Sequence, residues 1–161
     1  MSSGRTHAAV TMISSVGIAY LLHDQGLNSS QALAFCIGGL TGLLVNPDLD
    51  VDNGSISQRV VRKSTGCLIS AAWSFLWVPY ALIMPHRSVF SHWPILGTVL
   101  RLAYLVLVYH LIWLGLHHTL GLAPVATHTG PLLLPVWALP AFIGLSMTDA
   151  LHWMFDYLPW R

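Results

Sequence analysis

Nine histidines and six aspartates supply most of the reactive polar groups in a chain of 161 residues that contains no glutamate. Most of them fall in four short motifs: Thr6-His7; Pro47-Asp48-Leu49-Asp50; Pro85-His86-Arg87 followed by Ser91-His92; and the spaced set Asp149, His152 and Asp156. Imidazole and carboxylate together are the donor set of Zn²⁺, Mn²⁺ or Fe²⁺. On a helix, positions 149, 152 and 156 share an arc of roughly 60°. Two carboxylates flanking an imidazole on an apolar helix are costly, so they either pair with each other or serve a function. Asp48 and Asp50, two apart, point the same way if the segment is extended. Taken singly, each motif has a plainer use. Asp48 and Asp50 suit helix-end capping, His86 and His92 suit structural hydrogen bonds, and His7 and Arg87 suit the lipid headgroup level. The metal reading rests on all of them meeting.

The elements that position these residues are written in the composition. Hydrophobic residues make up 55% of the chain and charged residues only 8%, against about a quarter charged in soluble domains. Too few charges remain to cover a water-facing surface, so the chain is expected to face lipid as a single membrane-embedded domain over 1–161. Five apolar stretches stand out: Ala8 to Leu22, Ser29 to Val45, Gly66 to Met84, Ile95 to Leu116, and Pro131 to Leu158. The second is rich in glycine (Gly38, Gly39, Gly42), which permits close helix packing in lipid. No clear cleavage site follows the first, which reads as a retained helix. The stretch from Val51 to Thr65 is polar and reads as a connector. Cys36 and Cys67 lie in apolar runs and read as small buried hydrophobes. A net charge of +1 gives no argument for nucleic acid.

Charge decides the topology. With five spans, basic residues divide between the two sides. If Gly66 to Met84 lies in the membrane plane or re-enters, with Trp73 and Trp77 at the interface, then Arg5, Arg59, Arg62, Lys63, Arg87 and Arg161 all fall on one side. The positive-inside rule prefers this arrangement. The expected fold is thus an all-α polytopic bundle of four spanning helices plus one in-plane or re-entrant helix, with both termini cytoplasmic. That topology also brings His7, Asp48, Asp50, His86, His92, Asp149, His152 and Asp156 to one membrane face as candidate ligands of a divalent metal. With five spans they divide into two halves. His23, His117, His118 and His128 read as interfacial, and His110 as bonding a neighbouring helix.

In the order and content of its motifs, from His7 to Asp156, the chain resembles the metal-binding, membrane-bound metal-dependent hydrolase family of small bacterial inner-membrane proteins. The cyanobacterial branch is the nearest in pattern. The hydrolase branch usually reads His-Arg-Gly-x-Thr-His-Ser, where this chain has His86-Arg87-Ser88-Val89-Phe90-Ser91-His92. The resemblance implies a bacterial inner or thylakoid membrane, zinc as the metal, and water activated against a phosphate ester. Asp48 or Asp50 would then serve as base or bridging ligand, and Arg87 with Arg101 would hold phosphate on a lipid or lipid-linked substrate. The alternative is a non-catalytic small subunit or assembly factor of a larger membrane complex, to which the seven tryptophans and the glycine-rich helix are suited.

Overall fold

A computed structural model describes residues 4–50, 55–85, 88–121 and 135–157, and every regular element within them is helical. The order is α1 (Gly4–Asp24), α2 (Ser29–Thr41), a 3-10 turn (Pro47–Asp50), α3 (Ile56–Ile83), α4 (Val89–His92), α5 (Pro94–Leu120) and α6 (Ala138–Tyr157). Asn28 caps α2 by accepting a 2.9 Å hydrogen bond from the Gln31 backbone N–H. Pro94 starts α5, where its missing N–H costs nothing.

The glycines of α2 behave as their spacing suggests. α2 packs between α1 and α6. A Cβ on Gly38 would collide with the Ala141 backbone, and one on Gly144 with the Phe35 carbonyl. The two helices therefore meet backbone to backbone, a contact that any side chain at those positions would force apart. α5 lies along α6, with α4 at its start. A second nucleus joins Val45, just before the 3-10 turn, and Leu49, within it, to Trp77 and Tyr80 of α3, with Tyr104 of α5 packed against it.

α3 departs from expectation in two ways. The polar stretch read as a connector forms its first turns, capped by Ser55, whose hydroxyl accepts from the Gln58 N–H. Polar composition hid an amphipathic pattern, with Val61 buried and Arg59, Arg62 and Lys63 outward. The second departure is a break at Gly66, where φ is 84° and ψ is −176°. In a straight helix Ser57 and Trp73 would sit about 24 Å apart, yet Trp73 Nε1 donates to Ser57 Oγ at 2.9 Å. The helix therefore folds back at Gly66 into two arms. Ser57 donates to the Leu44 carbonyl at 2.6 Å, and the Leu76 carbonyl accepts from Tyr104. Both ends of α3 accordingly lie at the end of the bundle where the 3-10 turn and α4 meet.

Among the described helices two are long and apolar enough to cross a membrane, Ser57–Ile83 and Pro94–Leu120. The expected four spans are thus not what these helices present. α2, at 13 residues, is about 20 Å long, short of the roughly 30 Å hydrocarbon layer. One of the two qualifying helices covers the stretch assigned to the membrane plane. Its fold-back leaves a longer arm, 67–83, of about 25 Å. Trp77 is buried within the protein at 2% exposure, and Trp73 is half-buried. Cys36 is half-buried and Cys67 exposed, and both are free thiols. His110 is exposed and bonds the Val106 carbonyl of its own helix at 2.8 Å, not a neighbour.

The Gly66 conformation is one that side-chain-bearing residues avoid, although open space surrounds it. Gly66→Ala is expected to destabilise the protein by about 1–3 kcal/mol. Gly115→Ala, in helical geometry with equally open space, should be neutral or stabilising by up to about 1 kcal/mol. Thermal unfolding in detergent followed by circular dichroism distinguishes the two. Equal stability of Gly66→Ala and the parent would remove the fold-back.

Candidate metal centre

One end of the bundle gathers the start of α1, the 3-10 turn, α4 and the last turns of α6. Asp48, His92, His152 and Asp156 each place one donor atom there, and all four atoms lie within 4.8 Å of one another. His152 and Asp156 are one turn apart on α6, so the same face carries both. Asp48 arrives because Pro47 follows the end of α2 and the chain tightens into the 3-10 turn. His92 arrives on α4, whose N-cap Ser88 accepts from the Ser91 N–H at 3.2 Å.

Distances suit an ion. His152 Nε2 lies 3.3 Å from Asp48 Oδ1 and 3.3 Å from Asp156 Oδ2. A charge-assisted N–H···O contact is about 2.7–2.9 Å. Donors about 2.0–2.1 Å from a tetrahedral ion stand roughly 3.4 Å from each other, which is closer to the observed spacing. The donor set of two imidazoles and two carboxylates therefore fits a divalent metal.

Asp50 stands behind this group. It is buried, with Oδ2 3.6 Å from His92 Nδ1, and Ser91 Oγ is 2.7 Å from the same nitrogen. An imidazole engaged in this way through Nδ1 coordinates a metal through its Nε2. A carboxylate behind a ligating imidazole fixes its ring orientation and raises its basicity. His7 sits on the far side of His152. Their rings stack at 4.2 Å between centroids, and His7 Nε2 is 3.3 Å from Asp156 Oδ1. Burial pushes the Asp48 pKa up, but the hydrogen bond and charge of His152 pull it further down, and the carboxyl ends below its usual range.

Asp149, expected among the ligands, is engaged elsewhere. It pairs with Arg101 and accepts from the Thr98 hydroxyl, all three sealed from solvent. It shares the helix face of His152 and Asp156 within an arc of roughly 60°, but it lies about 4.5 Å from His152 along the axis, level with Arg101 rather than with the imidazoles. Arg101, expected to hold phosphate, has no exposed surface and also donates through Nη1 to the Ser91 carbonyl at 2.8 Å. His86 and Arg87 lie outside the described residues, as do Asp52, His128 and Arg161. Sequence reasoning missed Thr98, whose only signal is that it precedes Arg101 by about one helical turn, and it named Ser91 in a motif without giving it a role. It also missed Asn46, which lines a void of about 10 Å³ with His7, Thr11 and His152.

Two outcomes are expected. Arg101→Met alone leaves the Asp149 carboxylate buried without its partner and should cost about 3–5 kcal/mol. The double change Arg101→Met with Asp149→Leu should recover most of that, as measured by thermal unfolding; a double variant no better than the single would contradict the pairing. Divalent-metal affinity should fall at least tenfold from pH 7 to pH 5, because imidazoles coordinate only when neutral: burial lowers the His152 pKa, but the hydrogen bonds and charges of Asp156 and Asp48 outweigh it and raise it to about 9, so a metal must displace a proton from that ring across the whole window. Asp48 stays ionised across that window and adds nothing to the loss. Calorimetric titration showing a flat affinity would exclude imidazole coordination.

No curated protein and no solved structure matches this chain. A family model described as "Uncharacterized metal-binding protein (DUF2227)" matches residues 2–160. With a cluster of four metal-type donors at one end of its bundle, and a match over nearly its whole length, the chain belongs to the DUF2227 family of metal-binding proteins.

Proposed function

We propose that the protein holds a zinc-type divalent ion at Asp48, His92, His152 and Asp156 and uses it to hydrolyse phosphate esters, carried on lipids, at the cytoplasmic face of a bacterial inner membrane. The observation that carries this reading is the uneven exposure of the donors. The side chains of His92 and His152 are 2% and 8% exposed, whereas those of Asp156 and Asp48 are 14% and 27% exposed. An ion held there faces water only on its carboxylate side.

A divalent ion in that position supplies Lewis-acid activation of water and neutralises charge on a phosphate. The protein's own groups do the rest. Asp48 is ionised, partly exposed and beside His152, so it is placed to accept the proton of an attacking water at its carboxylate. Asp50 is buried behind His92, which suits it to orienting that ring and not to proton transfer. Arg87, from the neighbouring motif, is the cation assigned to the phosphate. Lipid as the medium is supported by α5, whose side chains beyond Leu105 include exposed Val106, Leu107, Leu111, Ile112 and Leu114. The exposed Arg59, Arg62 and Lys63 suit anionic headgroups on the cytoplasmic side.

A second reading has its own support. Four protein donors fill a tetrahedral shell, which is the arrangement of structural ions. The protein would then be a non-catalytic subunit of a larger membrane complex.

Metal analysis of the detergent-purified chain, together with phosphate release from a lipid phosphomonoester in mixed micelles, separates these readings. The hydrolase reading expects bound metal and turnover, with Asp48→Asn and His152→Ala each losing at least about 100-fold. Bound metal without turnover, in a protein that co-purifies with a stoichiometric partner, establishes the second reading. A metal-free protein from metal-replete cells removes both.

A further inference from the structure

His7 is not one of the four donors that converge on a single point, yet it is 7% exposed and shares Asp156 with them. The manner of sharing is specific. Asp156 Oδ1 is 3.3 Å from His7 Nε2, and Asp156 Oδ2 is 3.3 Å from His152 Nε2. The two imidazoles stack 4.2 Å apart with only 23° between their planes. Two nearly parallel rings thus present the same nitrogen to the two oxygens of one carboxylate. That is how a carboxylate spans two cations about 3.5–4 Å apart.

Asn46 supplies an independent observation. It is 6% exposed, and its Oδ1 has no hydrogen-bond partner among the described residues. It lines the void of about 10 Å³ that His7 and His152 also line. A void of that size holds about one water-sized occupant, and an amide oxygen buried beside it without a donor is unfavourable unless something fills the space. Small residues keep the space open: a Cβ on Gly42, another lining residue, would run into the Thr148 hydroxyl.

We propose that His7, Asn46 and Asp156 form a second divalent-cation site, with the Asp156 carboxylate bridging to the ion held by Asp48, His92 and His152. The inference rests on the metal reading of the first site. Charge is consistent with it. Asp48, Asp50 and Asp156 bring three negative charges; one divalent ion leaves the cluster anionic, and a second makes it cationic, as a site for an anionic ester requires. Two adjacent cations also explain why more imidazoles gather here than a single four-coordinate ion takes up.

The test is metal stoichiometry of the full chain in detergent, stripped with chelator and reloaded with Zn²⁺ or Mn²⁺. The expected result is about two ions per chain in the parent and about one in His7→Ala and Asn46→Leu, with helical circular dichroism retained. In the Mn²⁺-loaded parent, electron paramagnetic resonance should show an exchange-coupled pair. His7→Gln, closer in size, should show an isolated ion. If the parent binds one ion and shows no coupling, the second site is overturned while the first stands, and the void then holds water. If the parent binds none, both fall. Should the variants not fold, the coupled or uncoupled spectrum of the parent alone decides.

Discussion

A guanidinium and a carboxylate, both closed off from solvent, hold this molecule's working end together. Arg101 on α5 pairs with Asp149 on α6, and the same guanidinium reaches the Ser91 carbonyl on α4. Three elements, α4 and α5 next to each other in sequence and α6 with Asp149 48 residues beyond Arg101, thereby share one charge. Ser91 in turn contacts His92, so the ring nearest Asp50 is positioned through a chain of contacts that begins one helical turn below the candidate donor cluster. Buried pairs of this kind contribute little net stability compared with apolar packing, and their better-attested use is to specify a register. Here the register fixed is that of α5 against α6, the pair that carries α4 and the His152–Asp156 face.

Much of the site was legible because its residue types are rare in the chain. His152 and Asp156 follow from helical spacing, and Asp48 follows from a proline-led turn at the end of an apolar run. Asp149 shows where spacing fails. Angle around a helix says which face a residue shares, but height along the axis depends on what the neighbouring helix offers, and Arg101 was there. The fold was legible in outline as all-helical, with glycine-mediated packing of α2. The turns before Gly66 were not, because a basic amphipathic helix with only a few buried positions has the composition of a loop. Span counting fared worst. Apolar composition measures what can enter lipid, whereas the length of each straight segment depends on where the backbone breaks, and Gly66 carries no sequence mark beyond being a glycine.

The apolar exterior and the polar end are two sides of one arrangement. Backbone-to-backbone contact between α2 and α6 brings their axes close enough for the C-terminal end of α6 to overhang the 3-10 turn that follows α2. Asp48 and Asp156 can then approach the same imidazole. Bulkier residues at Gly38 or Gly144 would separate the helices throughout their length, including at the metal end, although neither glycine touches a ligand.

The fold-back of α3 has a bearing on how such a chain can vary. Because both arms root at the same end of the bundle, the chain between the 3-10 turn and α4 is an excursion that leaves the ligand-bearing region and returns to it. The root is fixed by Trp77 and Tyr80 against Leu49, and by Ser57 against the Leu44 carbonyl. The tip, with Cys67, Leu68 and Ile69 exposed, touches none of the ligands. Length and composition at the tip are therefore free to drift in pairs of turns, one in each arm. The outer contour of the protein can thus change without moving any of the four candidate metal donors.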